Sequence, residues 1–152
     1  MSASALKQGF MQGLKEKWAG MWEESPRKLR VSQFGEPFPF SAFLDRLTSL
    51  SRQQASLILQ LRCGHFPLNG YLHRFKKAES DSCGACGRGR GGPPPPETVN
   101  HFVFGCPAYT EEREELLDKI GRDHFNLPDI MSEVKRMKAL TTFINRSGRF
   151  RI

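Results

Sequence analysis

Cys83, Cys86, His101 and Cys106 carry the clearest prospect of chemistry in this chain. They form the pattern Cys-x2-Cys-x14-His-x4-Cys, three prospective thiolates and one imidazole. A Cys-x2-Cys pair places two sulfurs on one side of a tight turn. A His and a Cys a few residues apart at a helix end supply two further corners. Soft sulfur with imidazole suits tetrahedral zinc. Four protein ligands close the coordination shell, so the expected role of the ion is structural. Two other readings stand beside this one. The thiols could be buried small side chains next to an ordinary helix-end His. A redox Cys-x2-Cys would need a βαβ setting, which the pattern does not supply.

Composition bounds what surrounds such a site. The chain has 152 residues, 38% of them hydrophobic, with twelve Phe and two Trp. That predicts one domain with a modest core, in which a metal supplies part of the folding energy. The net charge is +7 and the sequence pI about 9.5. Such a balance favours anionic partners, nucleic acid first and an acidic membrane surface second. The longest aliphatic run in the middle of the chain, Leu57-Ile58-Leu59, is far too short to span a bilayer. Cys63 is the remaining cysteine, expected as a buried small residue. Without a secretory signal the thiols are expected to stay reduced, in cytoplasm or nucleus. Residues 1–15 hold no acid and several Ser, Ala and Lys, as a transit peptide would. They also lack arginine, and their apolar stripe runs on past Trp22, which favours a packed helix.

The positioning elements read as short helices separated by Pro- and Gly-rich turns. Leu6, Phe10, Leu14, Trp18 and Trp22 recur every four residues, predicting a helix over about 3–24 that Ser25-Pro26 stops. Residues 26–40 read as a linker. Ser41 opens a helix with Phe43, Leu44, Leu47 and Leu50 inward. Ser51 and Gln54 have capping-box spacing and open another, with Ala55, Ile58 and Leu59 inward, that Gly64 ends. Leu68–Phe75 predicts one more short turn. Residues 81–96 form a loop containing Gly87-Arg88-Gly89-Arg90-Gly91-Gly92 and four prolines. Residues 97–104 favour a short helix presenting His101 toward Cys106. Pro107 starts the next helix, with Tyr109, Leu116, Leu117 and Ile120 inward and Gly121 at its end. A last helix spans about 132–145 with Val134, Met137, Leu140 and Ile144 inward. The predicted fold is mainly α: short helices around a small zinc-knuckle-like site.

The richest cationic run precedes the first ligand pair. Arg62, His65, His73, Arg74, Lys76 and Lys77, joined by Arg88 and Arg90 on the loop, are candidates for phosphate contact. Tyr71 and Phe75 interleave with them and are either stacking residues or core. Lys135, Arg136, Lys138, Arg146, Arg149 and Arg151 form a second candidate surface. The acids gather between Glu111 and Asp118, interleaved with Arg113 and Lys119, as on a solvated helix face. No carboxylate set for metal-assisted hydrolysis is apparent, and the expectation is a binding protein without catalytic residues.

Several separated blocks resemble one family. Arg52-Gln53-Gln54-Ala55-Ser56-Leu57 and the stretch Leu61 to Arg74 (LRCGHFPLNGYLHR) look like the block preceding the zinc ligands in LINE-type (non-LTR) retrotransposon polyproteins, especially those of fungi. Glu97-Thr98-Val99-Asn100-His101-Phe102 with Cys106-Pro107 is similar to that family's closing Cys-Cys-His-Cys motif, and residues 143–150 (FINRSGRF) resemble its tail. Residues 1–40 resemble the spacer after its RNase H domain more loosely. The resemblance implies a C-terminal zinc module that helps hold RNA or DNA, working beside reverse transcriptase and RNase H domains outside these residues. It implies Cys83, Cys86, His101 and Cys106 as the zinc ligands, with an N-terminal helix and linker over 1–40 and the helical zinc-binding module over 41–152. The Gly-Arg/Pro insert lengthens the family's usual gap before His101. The start at Met1 suggests a truncated copy, a fragment or a domesticated remnant. The alternative expectation is a zinc-stabilised module that docks another protein domain, with no membrane role.

Overall fold

The computed structural model describes residues 2–32, 41–87 and 92–150. The fold is mainly α. In chain order the helices are α1 (Ala3–Glu23), α2 (Lys28–Ser32), α3 (Ser41–Thr48), α4 (Arg52–Cys63), α5 (Asn69–Leu72), α6 (Thr110–Ile120), α7 (Leu127–Met131) and α8 (Val134–Arg146). Single 3₁₀ turns cover His73–Phe75, Pro107–Tyr109 and Arg122–His124, and a π turn covers His101–Gly105. Extended pairing among the described residues is limited to one antiparallel bridge between Ser82 and Pro96.

Local chemistry sets the boundaries. Ser51 accepts a hydrogen bond from the Gln54 N–H at 3.2 Å, and the Gln54 side chain accepts one from the Ser51 N–H at 3.1 Å. This reciprocal pair satisfies two of the orphan donors that open α4. Gly64 closes α4 at φ 67°, a left-handed conformation that a residue without Cβ adopts at little cost. Glu111 and Glu112 sit in the first turn of α6, where the helix dipole favours negative charge.

The core runs from Phe43 to Ile144. Helix α8 is its hub, packing against α6, α7 and α4. Met137, Leu140 and Ile144 have no exposed surface, as the 3.6-residue periodicity requires. Phe102 lies at the centre of a ring cluster, 5.1 Å from Tyr109, 5.3 Å from Phe143 and 5.6 Å from Phe150, centroid to centroid. Such pairs contribute about 0.5–1.5 kcal/mol each beyond the area they bury. They join the residue beside His101 to α8 and to the C-terminal tail.

Several expectations need correction. Leu44, expected inward on α3, is 54% exposed. The core is more continuous than a 38% hydrophobic content suggested, and Cys83 and Cys106 belong to it. The apolar face of α4 is Leu57, Ile58 and Leu61, whereas Leu59 is 44% exposed. Ile58 is buried and Ala55 packs against the core as the spacing predicts, so Leu59 alone of the expected three turns outward. Helix α1 forms as the periodicity predicts, but none of its residues is fully buried: Phe10 and Trp18 are 66% and 61% exposed, and Leu14 and Trp22 are half-buried. Of the linker, residues 28–32 form α2 and residues 33–40 lie outside the described set. Among the described residues no helix is long and apolar enough to cross a membrane.

Candidate metal centre

Cys83, Cys86, His101 and Cys106 converge. Their ligand atoms all lie within 4.8 Å of one another. Cys83 Sγ and Cys106 Sγ are 3.8 Å apart, and Cys86 Sγ lies 3.3 Å from His101 Nε2. An ion with sulfur bonds of about 2.3 Å and nitrogen bonds of about 2.0 Å has tetrahedral edges of roughly 3.8 Å and 3.5 Å. These two donor separations thus lie near the edges of one tetrahedral ion, and all four donors are near enough together to fit a metal. Their convergence favours a metal site over three unrelated buried thiols beside an ordinary histidine.

Each ligand is placed by a separate device. The Ser82–Pro96 bridge, with Cys83 N–H donating to Pro95 O at 2.8 Å and Glu97 N–H to Asp81 O at 2.7 Å, closes the neck of the long loop. The Cys-x2-Cys turn emerges from this neck. The Gly/Arg/Pro insert therefore lengthens a loop whose base is already clamped, and closing a longer loop costs only about 0.6 kcal/mol per doubling. Arg88, Gly89, Arg90 and Gly91 lie outside the described residues.

The second pair depends on the π turn. In an α-helix the residue above His101 would be Gly105. Here the Cys106 N–H bonds His101 O at 2.6 Å, a five-residue closure that brings the i+5 position over His101. The expected short helix is present, but its local widening turns a His-x4-Cys spacing into a chelate. Arg113 holds this turn from beneath. Its Nε donates to Val103 O at 3.0 Å, and its Nη2 donates to Cys106 O. Arg113 is buried, a correction to its assignment to a solvated face. Its neighbours do form that face: Glu114 pairs with Arg122 and Glu115 with Arg146.

A buried carboxylate ties the centre to the end of the chain. Glu97 is 1% exposed. It accepts from Arg149 Nε at 2.7 Å, Arg149 Nη2 at 2.8 Å and the Asn69 N–H at 2.7 Å. Asn69 Nδ2 donates in turn to Ser82 O at 2.8 Å. Gly70 permits this approach: a Cβ there would stand 2.9 Å from Glu97 O. Arg149 is therefore an ion-pair partner of Glu97 instead of part of an open cationic tail surface. Sequence reading missed Glu97, Arg113 and Arg149 because nothing in their spacing distinguishes them from surface charges.

Electrostatics make an ion necessary for ionised sulfur. Burial pushes the Cys106 thiol up to about 12, with Cys83 adding to the shift, and burial followed by Cys83 raises Cys86. Burial, aided by the Arg113 charge and opposed by Glu97, lowers His101 from 6.5, leaving a neutral imidazole ready to ligate near pH 7. A divalent ion held by Cys83, Cys86 and Cys106 as thiolates must displace up to three protons. Affinity is therefore expected to rise with pH, by as much as about 1000-fold per unit between pH 6 and 8 for three released protons. Competition against a chromophoric chelator measures this, and a pH-independent constant would show that these thiolates are not ligands.

The cationic candidates are not equivalent. His65, His73, Arg74, Lys76 and Lys77 are exposed along the segment that follows α4. Arg62 is 3% exposed, its guanidinium 4.1 Å from the Phe43 ring centre, so it offers no open charge. His73 Nδ1 donates to Ala78 O at 3.1 Å. On the second surface Arg136 pairs with Glu133 and Arg146 with Glu115, Lys135 and Lys138 are exposed, and Arg151 lies outside the described residues. Cys63 is half-buried and apart from the cluster.

No protein-family model matches the chain. No solved structure matches it either. Among curated proteins it is 26% identical over 119 residues to the Retrovirus-related Pol polyprotein from type-1 retrotransposable element R1 4 of Nasonia vitripennis. The match covers 76% of this chain and 28% of that polyprotein, so the chain spans under a third of the relative's length. Similarity to a retrotransposon Pol polyprotein and a cluster of three cysteines and one histidine able to hold a metal are thus the two properties on which its function must rest.

Proposed function

We propose that the chain is a zinc-stabilised nucleic-acid-binding module of a retrotransposon-type Pol polyprotein, without catalytic activity of its own. The observation that carries this reading is the convergence of three sulfurs and one imidazole, all within 4.8 Å of one another. Thiolate-rich sets of this kind select zinc over harder cations. With all four corners supplied by protein, the ion has no open position for substrate and acts as a cross-link. It joins the 83–86 turn to the 101–106 turn. In the segment before the first cysteine pair the exposed side chains His73, Arg74, Lys76 and Lys77 suit phosphate contacts. The polymerase and nuclease chemistry of a Pol polyprotein would reside outside these residues.

The exposed stripe of α1 supports a second reading. Leu6, Phe10, Trp18 and Met21 are each more than half exposed, which suits docking onto a neighbouring domain such as a reverse transcriptase or RNase H. Salt separates the two. Phosphate binding weakens steeply as salt rises, whereas apolar docking barely responds.

The test is metal analysis of purified protein followed by titration with RNA and DNA. Zinc equimolar with the chain is expected. The double variant Arg74→Ala/Lys76→Ala is expected to weaken binding by roughly 10-fold near 0.1 M salt and to flatten the salt slope by about two contacts. Both residues are exposed, so the fold should survive. An unchanged affinity in the folded variant would remove this surface from the proposal.

A further inference from the structure

An exposed row of rings lies on the same segment as the cations. The His65 and Tyr71 ring centres are 5.4 Å apart, and those of Tyr71 and Phe75 are 5.0 Å apart. Phe75 is 56% exposed and His65 is exposed, while Tyr71 is half-buried between them. The Arg74 guanidinium lies 5.5 Å from the Tyr71 ring centre. Lys76 takes a left-handed turn at φ 56° straight after Phe75, which ends the 3₁₀ turn and keeps this ring at the surface.

Tyr71 and Arg74 also form one edge of a groove of about 580 Å³. Phe66, Leu68 and Leu127 give it an apolar floor. Its lining also includes Asn100 and the edge-to-face pair Phe104–Phe125, with ring centres 4.8 Å apart. Of the polar side chains lining it, Glu97 is held by Arg149, Thr98 accepts from the His101 N–H, and Asn126 bonds Asp129. Asn100 makes no hydrogen bond among the described residues and is exposed at the rim.

We propose that the His65–Tyr71–Phe75 row and the groove beside it bind unpaired bases, so that the module takes single-stranded nucleic acid in preference to duplex. The inference rests on the nucleic-acid reading above and deepens it by naming the form of the ligand. Paired bases are stacked within a helix and present edges and phosphates only. A surface of ring faces with an apolar groove gains nothing from them. An unpaired base offers two π-faces, and a groove of this volume accommodates one base with its sugar. His73, Arg74, Lys76 and Lys77 line the same segment and complement the phosphates that such a strand carries between bases. A protein partner for this surface would need acidic groups spaced along an aromatic-rich strip, a chemistry that single-stranded nucleic acid supplies by default.

The test uses the whole zinc-loaded chain and fluorescence anisotropy with mixed-sequence 12-mers, single-stranded and duplex, in both DNA and RNA. The wild type is expected to bind single strands at least 10-fold more tightly than duplex. Phe75→Ala, at an exposed position that the core does not use, is expected to lose about 5- to 100-fold in single-strand affinity. Its salt slope should be unchanged, because a neutral ring neutralises no phosphate. Asn100→Ala should weaken single-strand binding with little effect on duplex. Equal affinity for both forms with a silent Phe75→Ala would overturn the inference and leave the broader reading intact. Absence of binding to any of the four ligands would overturn both.

Discussion

Chelation of the metal is expected to lower the melting temperature by on the order of 20 °C and to strip helical signal from the middle of the chain. A structural zinc in a small module contributes on the order of 10 kcal/mol or more at neutral pH. For a chain of this size each kcal/mol moves the melting temperature by about 2–4 °C. The loss should not be total. The contacts of α6, α7 and α8 form a bundle with its own apolar faces, to which Met137, Leu140 and Ile144 contribute. Cys83 and Cys106 are buried in the same core as Phe102 and these residues. Removing the ion leaves two apposed thiols where a cross-link had been. The 81–106 segment should therefore loosen first, while α6–α8 retain protection against amide exchange. Cys106→Ser should reproduce the effect, because a hydroxyl is a poor zinc ligand and is poorly accommodated in an apolar site. A circular-dichroism melt unmoved by a strong chelator would defeat the metal assignment and the function built on it.

Arg149→Met is the second large effect. The substitution leaves the Glu97 carboxylate 1% exposed with only the Asn69 N–H as partner. Breaking one side of a buried pair costs about 3–5 kcal/mol, and the lower end applies here because the Arg149 side chain is 27% exposed and water screens it in part. The expected fall in melting temperature is about 6–12 °C. Metal affinity should fall with it, since Glu97 and Asn69 fix the neck from which the Cys-x2-Cys turn emerges. The double variant Glu97→Gln/Arg149→Met, which no longer buries an unpaired charge, should recover much of the loss. A single variant as stable as wild type would show that the pair contributes nothing to holding the loop.

The relation between these results and the linear sequence differs from element to element. The capping box at Ser51 and Gln54, the stop at Gly64 and the buried face of α8 were legible because each depends on residues within one or two helical turns. The ligand set was legible for a related reason: residue type restricts the donors, and two short spacings restrict their directions. Its similarity to retrotransposon polyproteins was legible from several blocks in a constant order. Helix α1 shows the limit of periodicity. A four-residue apolar repeat states that one side is apolar, but not whether another surface of the same chain covers it.

The sequence alone determined the helical class, most helix ends and the three cysteines and one histidine that converge, because those follow from backbone chemistry and short-range spacing. Only the tertiary structure decided which charges are buried. Arg62 stacks on Phe43, Arg113 braces the π turn and Arg149 reaches 52 residues back to Glu97, yet in the linear pattern each reads as one more surface cation. A charge's cost and purpose depend on the dielectric and the partners around it, and these exist only once distant segments have come together.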